Sequence, residues 1–239
     1  MFTRLVLIVI CAMLSACVAT PKGTPSVTAY KPLGLPLSAT ESIAFFVSTE
    51  VSQPPTPSAK PSEIYRINNL GAVVQGFTKG FRAVRPNAPI VVADEVLQRA
   101  CFESGTKSVE SGGAVLVAPN FTAPQCRELL KQRAIRYLVS VAGSRDTLSH
   151  FKYDVFSIEY EHNHTFTLVA RAFETTSGSS VCEHVETAFD VSLEGAIMYY
   201  FIFPIPGIRA LDETGYWERV AWQAGAQIGG CFVQPVGKN

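Results

Sequence analysis

The chain has 239 residues, with 20 Lys and Arg against 20 Asp and Glu, and a formal net charge of zero. No cluster of Lys and Arg appears in it, so it offers a phosphate backbone nothing to bind, and a nucleic-acid partner is excluded on electrostatic grounds. A hydrophobic fraction of 47% and a charged fraction of 17% let the chain bury a sizeable core; the length suits one domain behind an N-terminal signal and tether.

The chain opens with MFTRLVLIVICAMLSAC. Arg4 supplies a short positive region, and the apolar run Leu5 to Met13 is too short to cross a bilayer as a stable helix. This is the pattern of a secretory signal peptide. Leu14-Ser15-Ala16-Cys17 resembles the lipobox of bacterial lipoproteins, in which small residues suit the peptidase and the cysteine thiol takes up a diacylglyceryl group. The resemblance implies a signal peptide at 1–16 and a mature protein beginning at acylated Cys17, held to a membrane by several acyl chains. Val18 stands where an Asp retains such lipoproteins at the inner membrane. The same likeness therefore implies the periplasmic face of the outer membrane.

Of six cysteines, Cys11 falls in the signal and Cys17 in the lipobox. Cys101, Cys126, Cys182 and Cys231 remain, an even number for an oxidising compartment. Four cysteines allow three pairings, and sequence does not choose among them; the expected pairs are Cys101 with Cys126, which are near in sequence, and Cys182 with Cys231. They show no C-x-x-C spacing, which argues against zinc.

Residues 17–40 carry Pro21, Pro25, Pro32 and Pro36 among Gly and Thr, the composition of an extended tether, and the folded domain is expected over 41–239. SIAFFVS, 42–48, reads as a buried strand, and Pro54, Pro55, Pro57 and Pro61 as a loop. Ser62 and Glu63 after Pro61 have the form of a helix start. Ile64, Ile67, Leu70, Val74, Phe77 and Phe81 recur at helical steps, and Gly71, Gly76 and Gly80 suggest a helix lying close on a sheet. Ile90 to Val92 reads as a short buried strand, and DEVLQRACF as a helix with acids in its first turn. Residues 103–124 read as loop with a short strand at Val115 to Val117. PQCRELLKQR then forms a helix with proline in its first turn, and Ile135 to Gly143 a strand.

FKYDVFSIEYEH, HTFTLVARAFET and SVCEHVETAFDV alternate apolar and polar residues, which predicts a meander of half-buried strands, with TTSG at 175–178 as a turn. Near the C-terminus, Trp217, Val220, Ala221, Ala224 and Ile228 mark a helical stripe, and Tyr216, Trp217 and Trp222 are better explained as core than as an aromatic pocket. The predicted fold class is α/β (α+β), one mixed sheet with a C-terminal strand meander and helices packed on it.

Between these regions lies EGAIMYYFIFPIPGIR, without a charge between Glu194 and Arg209. It is too short for a membrane-spanning helix, and Pro204 and Pro206 break one. Three readings remain: a buried crossover, a loop dipping into the membrane beside the lipid anchor, or an exposed contact for a protein partner or another copy. Tyr199, Tyr200, Phe201 and Phe203 are the contact candidates, being residue types enriched at both kinds of surface.

Chemistry is sparse. His162 and His164 share a face if they lie on a strand and are weak metal candidates, whereas Asn163 suggests a hairpin tip where they need not converge. Ser149, His150 and Asp154 hold triad residue types without a G-x-S-x-G elbow, and Ser111 to Gly113 lacks the G-K-[ST] of a P-loop. No catalytic residue and no cofactor is assigned, and the protein is not expected to be an enzyme.

RAIRYLVSVAG is similar to the strand after a helix in curli-secretion-type lipoproteins and in activator lipoproteins of cell-wall synthases, and LVARAFETTSGSSVCEHVE resembles their hairpin. The likeness covers about half of the mature chain and implies a small periplasmic α/β domain that binds protein partners. A lipid-anchored envelope protein acting as a binding or assembly module is therefore the expected function. The alternatives are a small-ligand or metal carrier and, behind both, a periplasmic hydrolase.

Overall fold

The computed structural model describes residues 34–38, 40–52, 62–153, 157–200 and 203–233. The chain falls into two compact units. Among the described residues, the body unit takes in those from 34 to 148, 165–188 and 212–233, and the ribbon unit those of 149–164 and 189–211. The lipobox and Cys17 lie outside the described residues.

The fold is α+β: a seven-stranded mixed sheet with helices packed on it, plus two small two-stranded pairs. Strand β2 (Ser42–Ser48) runs parallel to β4 (Ile90–Val92) on one side and to β7 (Ile135–Tyr153) on the other. Strand β3 (Ser62–Tyr65) adds antiparallel to β7 beyond the end of β2, Ile64 opposite Asp146. From β7 the sheet continues through β8 (Ser157–Glu174), β9 (Ser180–Tyr200) and β10 (Phe203–Arg209). Connections of only a few residues make this run the expected antiparallel meander. The turn after β8 includes Thr175 to Ser177, with Gly178 at φ +68°, a left-handed conformation glycine adopts without penalty.

One face of the sheet in the body carries helices α1 (Leu70–Val84) and α4 (Glu213–Cys231). Phe77 of α1 sits 5.0 Å from Phe45 of β2, and Trp217 of α4 meets Phe166 of β8 edge-on at 5.2 Å. All four rings are fully buried, each worth about 1.5–3 kcal/mol of burial. The two helices approach to backbone contact through matched glycines, Gly76 and Gly80 on one and Gly225 and Gly229 on the other. A Cβ at Gly80 would stand 1.7 Å from the Trp222 carbonyl oxygen, and one at Gly225 would stand 2.1 Å from that of Phe77. These glycines thus fit helix against helix, not helix against sheet as the sequence suggested.

The opposite face carries α2 (Glu95–Cys101), α3 (Pro124–Gln132) and the hairpin β5 (Thr106–Val109)–β6 (Val115–Ala118). Ala44, Leu97, Phe102, Val117, Leu130 and Leu138 form its core. Asp94 caps α2, its carboxylate accepting from the Leu97 N–H at 2.9 Å, and the same side chain pairs with Arg133 at 2.7 Å just beyond α3. Both expected disulfides form: Cys101–Cys126 joins α2 to α3, and Cys182–Cys231 joins β9 to the end of α4.

Several expectations need correction. The stretch read as tether to residue 40 already belongs to the fold at β1 (Leu35–Pro36), which pairs in parallel with β11 (Phe232–Val233). There the Tyr137 hydroxyl donates to the Pro36 carbonyl at 2.9 Å, and burial raises the phenol's pKa, keeping it a protonated donor. Ser62 and Glu63 start no helix, because the free edge of β7 takes Ser62–Tyr65 as a strand and α1 begins at Leu70. The strand at Ile90–Val92 buries only Ile90, since it is the last strand on its side of the sheet. The loop expected over 103–124 contains the β5–β6 hairpin. The meander breaks after Tyr153 and not at Asn163, which lies inside β8. Tyr216 and Trp217 are core as expected, but Trp222 is 43% exposed.

Candidate contact surface

The ribbon unit holds Ser149, His150, His162 and His164 and the strands of the uncharged stretch. On the final residues of β7, Phe151 is 68% and Tyr153 75% exposed; on β8 Tyr160 is 42% exposed, and on β9 Phe189 is 60% exposed. Phe151 and Tyr153 are two apart on one strand, so they present to the same side. In the sequence their alternation signals a half-buried strand, and the structure leaves these rings exposed. Periodicity reports that a face is apolar; it does not report whether anything covers it.

Beside these rings run the two histidines. Because β8 is continuous through them, His162 and His164 occupy the same phase of the strand, their rings 24° from parallel with centroids 6.1 Å apart. The His162 Nδ1 and the Ser149 hydroxyl lie 2.8 Å apart, and the His164 Nε2 and the Ser192 hydroxyl 2.7 Å apart. Tyr160 meets the His162 ring edge-on at 4.6 Å. His164 and Ser192 are buried, as is Asp190 of the same unit. The structure thus brings the two imidazoles together as a strand demands, with a serine on each. Among the described residues no three His, Cys, Asp or Glu side chains converge into a metal-binding group.

Lys152 of β7 pairs with Glu161 of β8, and the hydrogen bond to that carboxylate raises the lysine's pKa. Ser149 is directed to His162, and Asp154 lies outside the described residues. In the body unit, His184 meets the buried Glu186 at 2.9 Å, both on β9.

The described residues of the uncharged stretch form two paired strands. Strand β10 pairs antiparallel with β9, Phe203 opposite Tyr200, Pro204 opposite Tyr199 and so on to Gly207 opposite Ala196, with Arg209 reaching Leu193. The crossover reading is thereby replaced by a strand pair that continues the meander. Tyr199, Tyr200 and Phe203 take known positions in this ladder, and Phe201 lies outside the described residues. Among the described residues no helix is long and apolar enough to cross a membrane.

In the body unit, a cleft of about 620 Å³ opens where β2 ends, lined by Phe46, Thr49, Gln98, Phe102 and charged neighbours. Its charges are mutually engaged: Lys107 pairs with Glu50 at 2.7 Å, and Arg99 with Glu95.

No family model matches the chain, and no curated protein is similar to it. Solved structures that match it include the PelC dodecamer from Paraburkholderia phytofirmans, at 12% identity over 86% of this chain and 96% of that one with a TM-score of 0.34. A variant of the same dodecamer matches at 12% identity, over 86% and 98% of the two chains, with a TM-score of 0.32.

Proposed function

We propose that the protein is a lipid-anchored component of the bacterial envelope, fixed through Cys17 to the periplasmic face of the outer membrane and acting there by binding a protein partner. The anchor reading rests on Leu14-Ser15-Ala16-Cys17 behind its apolar run. Pairing of all four remaining cysteines within the chain suits the oxidising side of the membrane. The binding reading is supported by one observation: Phe151 and Tyr153 at the end of β7 and Tyr160 on β8 are aromatic side chains left exposed.

Intact mass of natively produced protein tests the anchor, which requires an acylated N-terminal Cys17. Crosslinking in intact envelopes tests the partner. The double substitution Phe151→Ser and Tyr153→Ser is expected to abolish the crosslinked species while leaving the unfolding midpoint within experimental scatter, because both side chains are already largely in water. Retention of the crosslink in a folded double variant sinks the binding reading.

A metal carrier is the second reading, favoured by the near-parallel rings of His162 and His164. Equilibration with zinc or copper and elemental analysis decides it, a stoichiometric ion lost in His162→Ala being required.

A further inference from the structure

We infer that the cleft at the carboxyl end of β2 is a binding site for a short peptide with free termini, laid along the ladder position that β4 vacates. The site lies in the body unit and uses none of the ribbon residues, so it stands or fails separately from the partner reading above.

The first ground is topology. Strands β2 and β4 are parallel neighbours, yet the chain leaves them toward opposite faces of the sheet. After β2 it reaches α1, whose Phe77 packs on Phe45, before entering β4. After β4 it passes into α2, whose Leu97 shares a core with Ala44 on the other face. Parallel neighbours whose connections part in this way leave a crevice at their carboxyl ends, where open sheets of this kind bind ligands. The cleft of about 620 Å³ is that crevice, with Leu70 at the start of α1 on one side and Gln98 and Phe102 on the other. Its size is that of a small-ligand site.

The second ground is the ladder. The Ile43 N–H donates to the Pro89 carbonyl at 2.9 Å, and the Phe45 carbonyl accepts from the Ala93 N–H at 2.8 Å. The odd-numbered residues of β2 therefore turn their main-chain groups toward β4. Pairing ends at Phe45 with Val92. Strand β4 then turns away: Asp94 caps α2, and the Ala93 carbonyl accepts from the Gln98 side-chain amide at 2.7 Å. Val47 is the next odd residue of β2. It lines the cleft, and its N–H and C=O point to the side that β4 has left. An extended peptide brings one acceptor and one donor to such a position, a recurring way for a strand to bind a peptide.

The third ground is charge. Both signs line the cleft in opposed pairs, Lys107 with Glu50 and Arg99 with Glu95, with Glu103 4.0 Å from the same guanidinium. All five side chains are more than half exposed. Exposed pairs add little to stability, so they can open to a ligand with little loss. A peptide with a free ammonium and a free carboxylate answers both signs, whereas a singly charged ligand leaves one sign unanswered. Ser48, 2% exposed, also lines the cleft; its oxygen accepts from the Glu50 N–H at 3.3 Å, a contact that does not use the hydroxyl proton. Phe46, stacked on Phe102 at 4.4 Å, and the half-exposed Leu70 give an apolar wall for one ligand side chain.

Equilibrium dialysis of the full-length protein against alanyl-leucine tests the site. Saturable one-to-one binding with a Kd of about 1 mM or tighter is expected. N-acetyl-alanyl-leucine amide, with neither charge, and leucine, with no peptide unit to meet Val47, should each bind at least tenfold more weakly. Lys107→Ala combined with Arg99→Ala should weaken alanyl-leucine at least tenfold at an unchanged unfolding midpoint; Lys107→Gln with Arg99→Gln replaces it should the first pair fold poorly. Absence of saturable binding overturns the inference. So does undiminished binding in the folded double variant, which would put the peptide elsewhere on the chain. Equal affinity for the blocked dipeptide overturns the part assigned to the charges, and equal affinity for leucine overturns the placement along the ladder.

Discussion

On one face of the body, α1 and α4 touch along their backbones through Gly76, Gly80, Gly225 and Gly229; on the other, α2 and α3 are short, and a disulfide holds them. The first pair has 15 and 19 residues with long buried stripes, whereas α2 has seven and α3 nine, with two buried residues each. Helices this short gain little from packing. The contrast shows two solutions to covering a sheet. Close fit serves where length allows a continuous seam, and a covalent link serves where it does not. The glycine seam should therefore be intolerant of added volume, and the α2–α3 pair, which has no such seam, should depend on its disulfide.

The sharpest way to break this contrast is Gly80→Leu. Its Cβ would overlap the Trp222 carbonyl, and only separation of the helices relieves it. Urea unfolding is expected to show a loss of about 4 kcal/mol or more; a loss below 1 kcal/mol would mean the helices are not in backbone contact. Next comes Cys101→Ala with Cys126→Ala, which opens a link spanning 25 residues and should cost about 3 kcal/mol. Added reductant should have no further effect at this site in the double variant.

A smaller effect concerns acid. The Leu97 N–H and then Arg133 hold the Asp94 carboxyl below its ordinary range. A depressed folded-state pKa contributes stability that is present above the unfolded value, about pH 4, and is lost as pH falls through the lower folded value. Urea midpoints between pH 5 and pH 2 should fall less steeply in Asp94→Asn than in the parent, and equal slopes would refute the assignment. Within α1 itself, Gly71 has no atom near its absent Cβ, so Gly71→Ala should gain about 0.5 kcal/mol, opposite in sign to Gly80→Leu. Smallest of all is Lys79→Ala. It removes a 2.6 Å pair with Glu218 between two largely exposed side chains, and the midpoint should move by less than about 0.5 kcal/mol.

Much of the fold was legible where pattern and local chemistry agree. SIAFFVS, the Asp94 start of α2, Pro124 at the head of α3 and the Trp217 stripe all form the elements their residues prescribe. Both cysteine pairs came out as expected. The failures share a cause in tertiary context. Ile64 and Ile67 fit a helical step, but β7 runs past the end of β2 and its open edge takes Ser62–Tyr65 as a strand. Asn163 is a turn former in isolation, yet it sits among Tyr160, Thr165 and Phe166 in a strand of 18 residues. At the contact surface, strand alternation was enough to put His162 and His164 side by side. The partnering of Ser149 with His162 required knowing that β7 and β8 are neighbours, which no spacing within either strand reveals.

The Cys182–Cys231 bond has a consequence for a damaged molecule. It closes a loop, 49 residues in separation, that contains the whole of β10 and the connections on either side of it. A protease cutting anywhere between those two cysteines severs the chain without releasing a fragment. Nicked protein would run as one band without reductant and as two with it, and α4 would stay fastened to β9 through the injury.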